Sequence, residues 1–149
     1  MLAMKAATAF GVLIVLTIVG SAGARTDANG IPAYVDGYAK WPKLNTKPIA
    51  GGSSAHQGTK NVYASKRKTG VNYPLGAIVV KTARPPGKQW LSLLATMRKI
   101  RGITNGGWRW EEFTRSSPTA RFTKIAFPES GCAGCHMQAK ANDYVFTRR

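Results

Sequence analysis

The chain has 149 residues, with 22 lysines and arginines against 6 aspartates and glutamates, for a formal net charge of +16. It holds only two cysteines and two histidines, so a structural zinc site would have to use all four, one of them the distant His56. The basic residues are scattered singly or in short groups (Lys66-Arg67-Lys68, Arg98-Lys99, Arg148-Arg149) with no nucleic-acid fold signature. That excludes a recognisable DNA-binding module and leaves a solvated basic surface suited to an acidic partner or an anionic membrane.

In chain order, Lys5 precedes an apolar run from Ala6 to Gly20, and Ala22-Gly23-Ala24 comes next as a small-residue cleavage pattern. These are the three regions of a secretory signal peptide. The run falls short of the roughly 20 apolar residues that span a bilayer. Residues 1–24 are therefore expected to be removed on export to the periplasm, leaving 25–149 as one domain. From Ile31 to Leu44, Ile31, Tyr34, Val35, Tyr38 and Trp41 recur at three- and four-residue steps, which predicts a short amphipathic helix begun near Pro32 and stopped at Pro42. Residues 45–60, rich in Gly, Ser, Thr and Pro, read as a loop that carries His56.

Strand signals dominate the middle of the chain. Residues 61–65 predict a short strand, and Ala77-Ile78-Val79-Val80-Lys81-Thr82 is the strongest β-branched run in the chain. Alternation puts Ala77, Val79 and Lys81 on one face and Ile78, Val80 and Thr82 on the other, so Lys81 stands on an apolar face. Residues 90–100 suit helix or strand alike. After a turn at 102–107, Trp108-Arg109-Trp110-Glu111-Glu112-Phe113 alternates as a strand with Trp108, Trp110 and Glu112 on one side. Residues 116–128 are loop-like, and 137–146 suit a short C-terminal helix. The fold class expected is mainly β (α+β): an antiparallel sheet, a short N-terminal helix and a helical C-terminal segment.

Cys132-Ala133-Gly134-Cys135-His136 carries the chemistry. Two cysteines two residues apart with histidine directly after are the c-type haem attachment pattern. Each thiol adds to one haem vinyl group, and the adjacent histidine lies under the ring as axial ligand. A thioredoxin-like pair needs no such histidine. Thirteen residues come after His136, too few for the long downstream methionine segment of small electron-transfer cytochromes. A sixth ligand must come from upstream, from Met97 or His56, or the position is open. Turn residues every ten positions or so argue against a helical-bundle cytochrome c′.

Several segments in this order and spacing resemble the cytochrome P-460 family and its relative cytochrome c′-beta: Tyr38-Ala39-Lys40-Trp41-Pro42-Lys43, His56-Gln57-Gly58-Thr59-Lys60-Asn61-Val62-Tyr63, Tyr73-Pro74-Leu75-Gly76-Ala77-Ile78-Val79-Val80-Lys81, Gly107-Trp108, and Gly131 through the CxxCH motif to Asp143-Tyr144-Val145-Phe146. The resemblance implies an antiparallel β fold, often a homodimer, and one haem c with His136 proximal and an open distal side. It implies that Lys81 matches a strand lysine cross-linked to a haem meso carbon. It further implies hydroxylamine oxidation to NO or N2O, with electrons passed to a partner cytochrome and a distal carboxylate, Glu112 or Glu129, helping to remove protons. Without that carboxylate the same pocket binds NO or other small gases without turnover, as in the c′-beta branch. With Met97 or His56 on the iron, the chain would be a simple electron carrier.

Overall fold

A computed structural model describes residues 25–50 and 56–147, and the expected leader over residues 1–24 lies outside the described residues. Among the described residues, five strands run β1 (Thr59–Ala64), β2 (Ile78–Arg84), β3 (Leu93–Lys99), β4 (Trp108–Thr114) and β5 (Thr123–Lys124). They form one antiparallel sheet in chain order. The outer edge of β1 is covered by the preceding segment: Leu44 N–H donates to Val62 O, Ile49 and Lys60 exchange backbone hydrogen bonds, and Ala64 N–H reaches Pro42 O. That pairing hides an edge that would otherwise template aggregation.

The ambiguous stretch at 90–100 is strand β3. Its register settles a question of periodicity: Leu93, Ala95 and Met97 oppose Ala83, Lys81 and Val79, so each side chain finds a cross-strand neighbour that an isolated helix at this place would lack. The β3–β4 connection is a tight helical turn, Thr104–Gly107, with Asn105 and Gly106 in the left-handed region at φ 57° and 72°. Glycine at 106 is required twice over, because a Cβ there would meet the Tyr144 ring at 2.3 Å.

The N-terminal helix is shorter than the periodicity predicts. Two single 3-10 turns, Ala33–Val35 and Tyr38–Lys40, replace one amphipathic helix to Leu44. Gly37, at φ 69°, breaks the chain between them. The aromatic spacing still serves its purpose, because Val35 is fully buried and Tyr34, Tyr38 and Trp41 pack beside it. At the other end, Glu129–His136 is an α-helix, and the helix expected over 137–146 is a 3-10 segment, Met137–Asn142.

The sheet separates two clusters. One face carries Val80, Leu94 and Phe113, closed by Val35 and Phe122. The other carries Val62, Ala64, Val79, Met97, Trp108 and Trp110, and there the C-terminal segment lies across it with Ala133, Tyr144 and Val145. Full burial of each large apolar side chain contributes about 1.5–3 kcal/mol.

Candidate functional site

Positions 132, 135 and 136 on the helix Glu129–His136 are related by three- and four-residue steps, which places Cys132, Cys135 and His136 on one side of it. That side borders a cavity of about 600 Å³ whose walls are largely apolar, among them Ile49, Val62, Val79, Met97, Trp110, Val145 and Phe146. The opposite wall is the sheet. Across it, Val62, Lys81, Ala95 and Glu112 stand in one register row on β1 to β4, and all four line the cavity. Alternation therefore carries Lys81 and Glu112 to the same face, with the small Ala95 between them.

His56 joins these two residues. Lys81 Nζ lies 3.4 Å from His56 Nδ1, and His56 Nε2 lies 2.9 Å from Glu112 Oε2. With the proton on Nε2, the lysine donates to the imidazole and the imidazole donates to the carboxylate. Both ring nitrogens of His56 are thus engaged, which makes it a bridging group in this structure rather than a free iron ligand. Beside it, Lys60 Nζ donates to the carbonyls of His56 and Gly58 at 2.8 Å each. Burial, and then the nearby charge of Lys60, push the Lys81 ammonium below its ordinary pKa, while Cys135 and Glu112 oppose the shift. The Phe146 ring stands 5.9 Å from the same amine.

His136 is 8 % exposed. Its Nδ1 lies 2.6 Å from the Tyr144 carbonyl, and only an N–H on that nitrogen can make the bond, so in the neutral ring Nε2 keeps its lone pair. Burial lowers the pKa of His136 to about 4 against the favourable pull of that carbonyl, with the charges of Lys81 and His56 adding to the drop. The ring is the neutral form that binds metals, steadied by Phe146 at 5.1 Å and Trp110 at 6.1 Å. Burial, then the charge of Glu112, raise the pKa of the Cys132 thiol.

The structure therefore brings together Lys81, Glu112, Cys132, Cys135 and His136, with His56 and Met97 on the same walls. It does not bring Glu129 there: that side chain pairs with Arg109 at 3.4 Å on the surface. Among the described residues no three His, Cys, Asp or Glu side chains cluster to hold a bare metal ion. The contacts that sequence reasoning missed are long in sequence or made by the backbone. The His56–Glu112 bridge spans 56 positions and the Tyr144 carbonyl is a backbone group, so neither leaves a local pattern.

A haem fits this set of residues. The cavity lies within the roughly 300–1,000 Å³ of cofactor pockets. The thiols and the unprotonated Nε2 share one side of a helix. Trp110, 6 % exposed and lining the cavity, carries a buried indole N–H that no group among the described residues accepts, a donor suited to a ligand with polar edges. No curated protein gives a significant match to the chain. Residues 35–147 match the family model described as Cytochrome P460, and with the CxxCH helix facing the cavity the chain belongs to that family and is a haem cytochrome.

Proposed function

We propose that the chain is an exported mono-haem c-type cytochrome that oxidises hydroxylamine, with Cys132 and Cys135 forming the thioethers and His136 the axial bond. The observation that carries the reading is the Lys81–His56–Glu112 line on the wall of the cavity that the CxxCH helix borders. When bound, the haem supplies a Lewis-acidic iron and an electron sink for NH2OH. The protein's part is to manage protons, because the overall change NH2OH → NO + 3 H+ + 3 e− releases one for every electron.

Glu112 is the acceptor in this scheme. Its side chain is 18 % exposed, so a proton taken up inside the cavity has a way to water. His56 keeps the carboxylate oriented and links it to Lys81, letting a proton that arrives at one end of the line leave at the other. The apolar walls exclude bulk water, which strengthens each of these contacts. Lys81, with its pKa lowered, presents the neutral amine more readily than a surface lysine does. It is the residue we assign to a third covalent bond to the haem edge, an N–C bond made in place of one amine N–H and one meso C–H, with an external two-electron oxidant taking up the two electrons and two protons released. Electrons then leave to a partner cytochrome, whose approach the +16 charge would steer if that partner is acidic.

The test uses protein matured with haem in a periplasmic host. A ferrous absorption displaced to about 460 nm, the feature the family name refers to, with an intact mass two hydrogens short of simple haem addition, is expected. Hydroxylamine turnover with an electron acceptor should fall by about 10²–10⁴ in kcat in Glu112→Gln and stay unchanged in Glu129→Gln. An ordinary high-spin spectrum, simple haem addition and NO binding without turnover would overturn the catalytic reading in favour of a gas-binding protein.

A further inference from the structure

Behind His136 lies a polar cluster that borders no part of the cavity wall yet bears on the imidazole. Asp143 is 3 % exposed. Its carboxylate accepts from Lys99 Nζ at 2.6 and 2.9 Å, from the Tyr73 N–H at 2.7 Å and from Trp108 Nε1 at 3.2 Å. The same indole N–H reaches the Asp143 carbonyl at 2.9 Å, and Lys99 Nζ sits 4.8 Å over the Trp108 ring. A buried carboxylate with this many donors is fully satisfied and rigid.

What it holds is a strained turn. Asp143 and Tyr144 succeed one another in the left-handed region at φ 53° and 64°, where residues with a Cβ are sparse and persist only when their surroundings over-determine them. Asp143 is clamped from β3 and β4, and the Tyr144 ring is seated against Gly106. Between these two anchors the Tyr144 carbonyl points at His136 Nδ1, at a distance short for an N–H···O bond, whose usual length is about 2.9–3.0 Å. Such a bond fixes the tautomer and raises the donor strength of the other ring nitrogen. A stronger donor favours ferric over ferrous iron.

We propose that Asp143, clamped by Lys99 and Trp108, is a positioning residue that holds the Tyr144 carbonyl against His136 and thereby keeps the haem reduction potential low. The inference rests on His136 as axial ligand, and the experiment separates the two. Reduction potentials of the haem-loaded protein are measured by spectroelectrochemical titration for Asp143→Asn, Trp108→Phe and Lys99→Met, with Asp36→Asn, an exposed aspartate, as the charge-matched control. Each clamp variant should raise the potential, by about threefold in the ratio of reduced to oxidised haem for Asp143→Asn, which is about 28 mV at 59 mV per tenfold.

Lys99→Met is the decisive arm. Loss of a nearby positive charge alone lowers the potential, whereas release of the clamp raises it. Trp108→Phe keeps a ring in the core and changes no charge, so it reports on the hydrogen bonds even if Asp143→Asn fails to fold. A fall in Lys99→Met, or shifts in Trp108→Phe no larger than the control, overturns the proposal. If His136→Ala itself leaves the Soret band and potential unchanged, the ligand assignment fails, and the clamp proposal fails with it.

Discussion

The two faces of the sheet use the same four long strands for opposite ends. On one, Val80, Leu94 and Phe113 meet Val35 and Phe122, a cluster of large apolar side chains. On the other, the row Val62–Lys81–Ala95–Glu112 puts an amine, a small residue and a carboxylate where a core would place aliphatic bulk. Alternate residues on one strand thus answer to different pressures. Glu111 and Glu112 are neighbours in sequence, but one is tied to Tyr34, Arg98 and Lys124 and the other to His56. Both faces bury apolar side chains, but only the second also carries an amine and a carboxylate into a cavity, and it is this division that substitutions can probe.

The strongest way to break that division is to remove the group on which the cavity face depends. His136→Ala should abolish the native absorption spectrum while the intact mass still shows both thioethers, because the thiols do not need the imidazole to react. An unchanged Soret band would show that the cavity face is ordinary packing after all.

Next in size is a matched pair of truncations. Leu94, fully buried on the packed face, should lose about 2–5 kcal/mol on Leu94→Ala in urea unfolding, from lost transfer energy plus the cavity left behind. Lys81→Met on the cavity face should leave stability within about 1 kcal/mol of the parent or raise it, since it removes an amine whose burial is unfavourable. Its absorption spectrum should move far more than that of Lys66→Ala, whose amine caps the Leu75 carbonyl at the surface. A large stability loss with a silent spectrum would reverse the assignment of the two faces.

Much of this was legible before any fold. The period of two along 77–82 placed Lys81 with Val79 and against Val80, and the same alternation aligned Trp108, Trp110 and Glu112. The CxxCH motif announced itself by spacing alone. What the local pattern does not contain is register: Lys81 meets Glu112 through Ala95 because β3 pairs with both neighbours in one alignment, and 90–100 scans equally as helix. The N-terminal stretch misleads for a related reason. Its aromatic steps reflect packing against the sheet, and one left-handed glycine, Gly37, converts them from a helix into two turns. Glu112 and Glu129 stand equal in the sequence as the distal carboxylate that the resemblance implies, and only the fold separates a surface ion pair at Glu129 from the cavity wall at Glu112.

The smallest expected effect sharpens the comparison by pH. Glu111, on the packed face, is pulled in two directions. Burial raises its pKa, but hydrogen bonds from Lys124 and Tyr34 and the charge of Arg98 outweigh it and leave the carboxyl below its ordinary value of 4.5. A depressed carboxyl contributes stability that is present above the unfolded pKa and is lost as pH falls through the folded one. The parent protein should therefore lose stability on acidification below about pH 4.5, partly through this group. Glu111→Gln should cost about 1–2 kcal/mol at neutral pH, discounted because Lys124 is half-exposed, and should show a shallower acid slope. Its absorption spectrum should be that of the parent, because Glu111 borders the cavity but its carboxylate is engaged by Tyr34, Arg98 and Lys124, none of which lines it. A spectral change in Glu111→Gln comparable to that in Lys81→Met would mean that the two faces are coupled through β4 and are not the separate layers that the packing describes.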